Sequence, residues 1–228
     1  MVVTARLRLL EAWPGAARSW QSLLAAQVRG ALSGGADLVQ VREPDLDAGS
    51  LAAFLGQVFA ELPESRARVV LNDRLDVALA VDAGGVHLPE RSLSPGQARS
   101  LAPRPEWLVG RSVHSADAAR HSSGASYLLA GTVLPSASKA RMAPTLGWDG
   151  LRDVVDAAGD VPVMAIGGLT ELDVPRAVAA GASGVAAIGW FLPTGGADVA
   201  EFVQERVMRM RLAFDTSDGV PYTRGLDR

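Results

Sequence analysis

Residues 161–188 read VPVMAIGGLTELDVPRAVAAGASGVAAI and contain one complete strand–helix–strand unit. The apolar run Val161–Ile166 predicts a buried strand, the Ala-rich segment Glu171–Ala180 predicts a helix, and Gly184–Ile188 predicts the next strand. Gly181 is placed to end the helix, because glycine tolerates the left-handed conformation that follows many helices. Two strands joined by a helix in this way are typical of parallel β/α architecture.

The same alternation of short apolar runs and Ala-rich segments extends over most of the 228 residues. Further strands are predicted at Leu7–Glu11, Asp37–Arg42, Arg68–Asn72, Gly85–Leu88, Trp107–Ser112 and Ser126–Gly131. The other predicted helices are Ser19–Leu32, Gly49–Leu62, Leu75–Val81, Pro95–Leu101, Ala116–His121, Trp148–Ala157 and Asp198–Leu212. Eight repeats in about two hundred residues predict an α/β fold of the (β/α)8 TIM-barrel type. A doubly wound open sheet is the alternative.

Composition excludes several classes of protein. Hydrophobic residues make up 48% of the chain, which is enough to form a core without disulfides. Cysteine is absent, so thiolate metal sites, iron–sulfur clusters and cysteine nucleophiles are excluded. A net charge of −3 argues against nucleic-acid binding. We expect one barrel domain over residues 1–213, a polar tail over 214–228, no membrane segment and a cytoplasmic location, with the oligomeric state left open.

In such a barrel, catalytic groups lie where the strands end. Ser112 and His114 close the fifth predicted strand, and alternation of side chains puts both on one face. Histidine suits proton transfer near neutral pH, so we predict these two as catalytic residues. The alternative is that His114 caps the helix that follows. For His87 a structural role is favoured, and His121 is predicted to lie on the surface.

Glycines end the last two strands of the predicted barrel. Gly167-Gly168 and Gly189 leave backbone N–H groups open to close approach by an anion, and in barrels the loops after strands seven and eight often bind phosphate. Lys139, in the long loop 132–145, is a further candidate phosphate ligand because loops of this length are often lids.

Polar residues also end the second and third predicted strands. Arg42 is a candidate ligand for a carboxylate or phosphate, or else a partner of Glu43 in a salt bridge at the rim. Asn72 and Asp73 are candidate ligands for a polar substrate, a metal or a cationic ring, although Asp73 is equally suited to cap the next helix.

Several stretches, in order along the chain, resemble the family of thiamine phosphate synthases and their paralogues, the thiazole tautomerases. They are Val39-Gln40-Val41-Arg42-Glu43, Leu71-Asn72-Asp73-Arg74, Gly85-Val86-His87-Leu88, Gly110-Arg111-Ser112-Val113-His114-Ser115 and Ala165-Ile166-Gly167-Gly168-Leu169-Thr170. The resemblance spans about residues 7–191. It implies a (β/α)8 barrel that binds a thiazole phosphate near Gly167, Gly168 and the end of the eighth strand.

Departures from the synthase pattern favour the tautomerase paralogue. The synthases have a lysine where Pro44 stands and a second magnesium-binding aspartate where Ser92 stands. The principal prediction is therefore a metal-independent tautomerase without a cofactor, in which His114 moves a proton to aromatise a carboxythiazole phosphate. Ser112 would orient the substrate or the histidine, and Arg42 would hold the carboxylate of the substrate.

Other residues match the synthases. Asp73 agrees with their pattern, and Ser136-Ala137-Ser138-Lys139 resembles their pyrophosphate loop. A Ser-Gly pair is usual in the family where Gly189-Trp190 stands here. The alternatives are therefore a thiamine phosphate synthase, which joins a pyrimidine diphosphate to the thiazole phosphate, or a binding protein without activity. In each case the expected partner is a phosphorylated thiazole, not a nucleic acid or a membrane.

Overall fold

A computed structural model describes residues 1–12, 19–136, 144–193 and 198–217. Eight parallel strands pair in chain order, each with the next. They are β1 (Val2–Val3), β2 (Val39–Val41), β3 (Val69–Asn72), β4 (Gly85–Leu88), β5 (Leu108–Val113), β6 (Tyr127–Gly131), β7 (Val163–Ile166) and β8 (Gly184–Ala186). A parallel bridge between Val2 and Ala187 brings the last strand back to the first. The predicted TIM barrel is confirmed, and the open sheet is wrong.

Helices alternate with the strands around the barrel. The described helices are α1 (Arg6–Ala12), α2 (Trp20–Ser33), α3 (Ala48–Glu61), α4 (Leu75–Ala80), α5 (Pro95–Leu101), α6 (Ala116–Arg120), α7 (Gly147–Ala158), α8 (Val174–Ala179) and α9 (Val199–Asp215). Most of the buried apolar side chains form one cluster between strands and helices, and a smaller cluster, which includes Leu38, Leu129 and Met164, fills the barrel interior. None of the described helices is long and apolar enough to cross a membrane.

The first predicted strand is wrong. Residues 6–12 form helix α1, and the first strand is the β-branched pair Val2–Val3 instead. Leu9 is fully buried, whereas Leu7 is 53% exposed. In a strand these two side chains would lie on the same face, so their unequal burial does not fit a strand in the interior of a barrel. The strand Val2–Val3 has only two residues, so its sequence shows no hydrophobic period that could predict it.

Other boundaries differ by a few residues. The helix predicted at Glu171–Ala180 is a 3-10 turn over Glu171–Asp173 followed by α8. Helix α9 continues to Asp215 with Phe214 buried, so its last turn includes the start of the predicted tail. The remainder of that tail, from residue 218, lies outside the described residues.

Candidate active site

A cavity of about 410 Å³ opens at the carboxyl ends of strands β5 to β8. Five of the predicted site residues line it: Ser112, His114, Gly167, Gly168 and Gly189. The other lining residues are Arg8, Leu129, Gly131, Thr132, Pro135, Ser136, Ile166, Leu169, Thr170, Ala187, Ile188 and Trp190. No carboxylate stands among these described wall residues, so the cavity is suited to a ligand that carries negative charge.

Two adjacent glycines after β7 shape one wall of this cavity. Gly167 and Gly168 have φ angles of 108° and 68°, in the region that disfavours residues with a side chain. A Cβ atom on Gly167 would lie 2.5 Å from Thr132 Cγ2, and one on Gly168 would lie 2.5 Å from the Pro135 carbonyl oxygen. Both positions therefore require glycine, which keeps the backbone at the cavity wall bare.

Ser112 is tied to a polar pair inside the barrel. His87 Nε2 lies 2.8 Å from Ser112 Oγ, and His87 Nδ1 lies 3.2 Å from the Tyr127 hydroxyl. His87 is 1% exposed and Tyr127 is fully buried. The hydroxyl at the cavity wall is thereby connected, through one imidazole, to a phenol in the core.

The strand register explains why these side chains meet. His87 on β4 pairs with Gly110 on β5, which pairs in turn with Tyr127 on β6. A side chain at Gly110 would overlap the phenol and the imidazole, so glycine is what lets them touch across the strand between them. The predicted structural role of His87 agrees with this burial.

His87 is held in its neutral form. Desolvation by burial lowers its pKa to about 3, and the positive charges of Arg111 and Arg42 add to the effect. A neutral imidazole has one donor and one acceptor nitrogen. It can therefore hold Ser112 in place but does not serve as an acid near neutral pH.

His114 stands at the open side of the cavity. Its Nδ1 atom lies against the Gly131 carbonyl oxygen, which can only accept, so Nδ1 carries the proton. Its Nε2 lies 3.9 Å from Glu90 Oε2. Ser115, and not His114, caps helix α6, so the capping alternative is wrong. In the neutral ring Nε2 is therefore an acceptor.

The remaining predicted residues lie on the other half of the barrel mouth. Arg42 follows β2, while Asn72 ends β3 and Asp73 follows it; none of the three lines the cavity at β5–β8. The positive charge of Arg42 nevertheless contributes to the lowered pKa of His87. The mouth thus has two polar sides, with His87 and Ser112 between them. Lys139 lies outside the described residues.

Asp73 does not cap the next helix. Arg74 occupies the cap position of α4, and Asp73 adopts a φ of 59°, which is unusual for a residue other than glycine. Its carboxylate accepts a hydrogen bond from the Ser92 hydroxyl. Arg111 holds the loop that carries Ser92 by donating to the Leu93 carbonyl at 2.5 Å.

The contact between Asp73 and Ser92 lies where the synthase pattern has its magnesium-binding residues. No described group of three or more His, Cys, Asp or Glu side chains is close enough to hold a metal. Asp73 with the Ser92 hydroxyl offers oxygen donors but only one carboxylate. Magnesium commonly binds through one or two carboxylates together with substrate phosphates and water. The residues therefore fit a cation held mainly by a bound diphosphate.

A buried acid links β2 to helix α1, which sequence reasoning missed. Glu43 is 6% exposed and accepts hydrogen bonds from Thr4 Oγ1 at 2.5 Å and from the Arg6 backbone N–H at 2.9 Å. Burial raises the pKa of Glu43, an effect that these hydrogen bonds oppose. Its charged partner is Arg6 at 3.9 Å, so Glu43 pairs with α1 and the alternative of a salt bridge between Arg42 and Glu43 is wrong.

Arg8, which was not among the predicted ligands, and Trp190 also line the cavity. Arg8 lies in helix α1, which the sequence pattern had predicted to be a strand. Because of that wrong prediction, Arg8 was not recognised as a residue of the cavity wall. Trp190 lies in a 3-10 turn after β8, and the Arg206 guanidinium stacks on its ring at 4.0 Å. That contact fixes the indole against helix α9.

A larger cavity of about 500 Å³ lies at the opposite end of the barrel. It is bordered by the residues that precede the strands, such as Asp37 and Gly84, and by side chains of α9. Catalytic groups of TIM barrels gather at the carboxyl ends of the strands. The smaller cavity, at that end, is therefore the candidate active site.

A model of the family described as thiamine monophosphate synthase matches residues 15–191 of the chain. The chain belongs to this family. The chain is similar to the thiamine-phosphate synthase of Moorella thermoacetica, with 40% identity over 176 residues, which are 76% of this chain and 81% of the relative. The thiamine-phosphate synthase of Methanospirillum hungatei is 39% identical over 159 residues, 69% of this chain and 76% of the relative.

Solved structures agree with this family membership. The thiamine phosphate pyrophosphorylase of Pyrococcus furiosus has a TM-score of 0.72 and 30% identity, with 96% of each chain covered. The names of these thiamine monophosphate synthase relatives support the synthase alternative better than the predicted tautomerase. Enzymatic activity in thiamine biosynthesis is supported, and isomerase activity is not.

Proposed function

We propose that the protein is a thiamine-phosphate synthase, a transferase that joins a pyrimidine diphosphate to a thiazole phosphate. The observation that carries this proposal is the division of the barrel mouth into two polar sides. The glycine-walled cavity at β5–β8 is suited to a phosphate ester. Arg42, Asn72 and Asp73 on the opposite side are suited to a second, more highly charged group. A tautomerase needs only one ligand, whereas a synthase must hold two.

In the proposed reaction, the thiazole nitrogen attacks the methylene carbon of the pyrimidine. A C–N bond forms while the C–O bond to the diphosphate breaks, and pyrophosphate leaves with the bonding electron pair. Much of the rate enhancement in such a two-substrate reaction comes from alignment. Ser112, which is held by neutral His87, would orient the pyrimidine.

Charge on the leaving pyrophosphate must be neutralised. Arg42 supplies a guanidinium suited to phosphate oxygens, and Asp73 would hold magnesium carried by the diphosphate. When bound, that ion would stabilise the negative charge of the leaving group. Pro44 carries no positive charge, unlike the lysine at this position in the synthase pattern. Arg42 would therefore neutralise a larger part of the charge on the leaving pyrophosphate.

The proposal is tested by measuring pyrophosphate release with magnesium in the presence of both substrates and with each one omitted. We expect release to require both. Arg42→Gln and Asp73→Asn should lower turnover with little effect on thiazole-phosphate affinity, because they act on the leaving-group side. Weakened thiazole-phosphate binding in these two variants, with turnover of the bound substrate unchanged, would refute the assignment of the two sides.

The tautomerase reaction is kept as a second candidate because of one observation. His114 has its Nδ1 proton fixed by the Gly131 carbonyl, which leaves Nε2 as a base at the cavity. The same protein preparation should be mixed with the non-aromatic carboxythiazole phosphate in the presence of chelator. Aromatisation that is lost in His114→Ala would favour this candidate, and absence of acceleration would remove it.

A further inference from the structure

Helix α1 is anchored to the residues that follow strand β2. Its first residue, Arg6, donates a backbone hydrogen bond to Glu43 at 2.9 Å. The Arg6 side chain contacts Asp45 and stacks over the Trp20 ring at 5.2 Å. Thr4, just before the helix, donates to Glu43 as well. These contacts fix the start of the helix to the end of β2.

The anchoring of Arg6 determines where Arg8 lies. Residues two positions apart in a helix face different sides, so the side chains of Arg6 and Arg8 point in different directions. Arg8 lines the cavity at β5–β8. A Cβ atom built on Gly189 would be 3.6 Å from Arg8 Nη2 and 3.9 Å from Nη1, which places the guanidinium beside the end of β8.

The surroundings of this guanidinium favour an anion. Arg8 is the one permanently charged side chain among the described residues of the cavity wall, and these residues include no Asp or Glu. The wall also contains the bare backbone of Gly167 and Gly168. A planar guanidinium next to such a wall matches the geometry of a phosphate group, which it can bind through two parallel N–H donors.

We infer that Arg8 binds the phosphate group of the thiazole substrate. This inference rests on the proposed function for the identity of the ligand, but not for the presence of an anion site. Arg8 is then a residue that selects the phosphorylated thiazole over the corresponding alcohol. Helix α1, which carries Arg8, is then part of the active site.

The test compares the affinities of two ligands by isothermal titration calorimetry. Wild type should bind the thiazole phosphate more tightly than the thiazole alcohol. Arg8→Gln should weaken binding of the phosphate on the order of 10- to 100-fold, the loss typical of a charge-assisted hydrogen-bonded pair, and leave alcohol binding unchanged. Arg8→Lys should keep part of the preference. Arg29→Gln, a change in an exposed pair with Glu61, serves as the matched control and should change neither affinity.

Equal weakening of both ligands in Arg8→Gln, or no change in either, would overturn the inference. Inorganic phosphate provides a probe that is independent of the reaction. If thiazole phosphate does not bind but inorganic phosphate binds in wild type and not in Arg8→Gln, the anion site stands and the proposed function fails. If phosphate binds both proteins equally, the assignment of Arg8 is wrong.

Discussion

Gly110→Ala perturbs the contact between His87 and Tyr127, the two buried side chains that connect to Ser112. An added Cβ would overlap the Tyr127 ring and hydroxyl and lie 2.6 Å from His87 Nδ1. Both of these side chains are almost fully buried, so neither can move into solvent. The substitution must therefore separate His87 from Tyr127 or shift strand β5.

The magnitude follows from two costs. Overpacking a core by one methyl group costs about 1–3 kcal/mol. Loss of a buried hydrogen bond with its partner left unpaired costs a further amount of about 1–3 kcal/mol. We expect a total loss in the free energy of unfolding of about 2–6 kcal/mol. At about 2–4 °C per kcal/mol for a domain of this size, the melting temperature should fall by roughly 4–24 °C.

Gly56→Ala is the matched control because it makes the same chemical change elsewhere. Gly56 lies inside α3, and no atom lies within 4 Å of the position a Cβ would take. Alanine is the better helix former by about 0.5–1 kcal/mol, so this variant should be more stable than wild type.

Urea and thermal unfolding followed by circular dichroism measure both variants. The expected result is opposite signs for the same substitution. If Gly110→Ala were as stable as wild type, or if both variants changed stability alike, the packing of His87 against Tyr127 across Gly110 would be refuted.

Three further predictions concern protonation, the glycine wall and the metal. The depressed pKa of His87 means that the unfolded chain binds its proton first, so from this group stability should fall as pH drops from about 6.5 towards 3, by about 1.4 kcal/mol per pH unit. Urea unfolding between pH 4.5 and 7 should show a shallower slope for His87→Gln; an unchanged slope would contradict the neutral imidazole. Gly168 has a φ of 68°, and a Cβ atom added there would lie 2.5 Å from the Pro135 carbonyl oxygen. Gly168→Ala should therefore weaken thiazole-phosphate binding by at least roughly tenfold in calorimetry. Gly96→Ala, where no atom lies within 4 Å of the added Cβ, should not change it. Ser92→Asp adds a second carboxylate beside Asp73 and should lower the magnesium concentration for half-maximal turnover by roughly tenfold in a titration; no change would show that Asp73 is remote from the ion.

The barrel could be predicted because seven of its strands, β2 to β8, are short and mainly apolar runs bounded by glycines and polar residues. Residues 161–188, for example, contain the motif of β7 and β8 in full. The first strand could not be found this way, since Val2–Val3 is too short to show a period. The misassigned segment that follows it is a helix whose position depends on Glu43, a contact between residues far apart in sequence.

Part of the candidate site could also be predicted from the pattern of residues along the strands. Alternation along β5 placed Ser112 and His114 on one face, and both line the cavity. The sequence does not show that His87 reaches Ser112, because that contact depends on the register between β4 and β5 and on the missing side chain of Gly110. Arg8 was hidden by the error in the first strand.

The most direct test of the account is to identify the product by mass spectrometry after mixing the protein with the pyrimidine diphosphate, the thiazole phosphate and magnesium. The account predicts thiamine phosphate and pyrophosphate in equal amounts, with neither formed when one substrate is left out. Absence of thiamine phosphate, in a preparation that still binds the thiazole phosphate and aromatises its tautomer, would contradict the proposed synthase reaction.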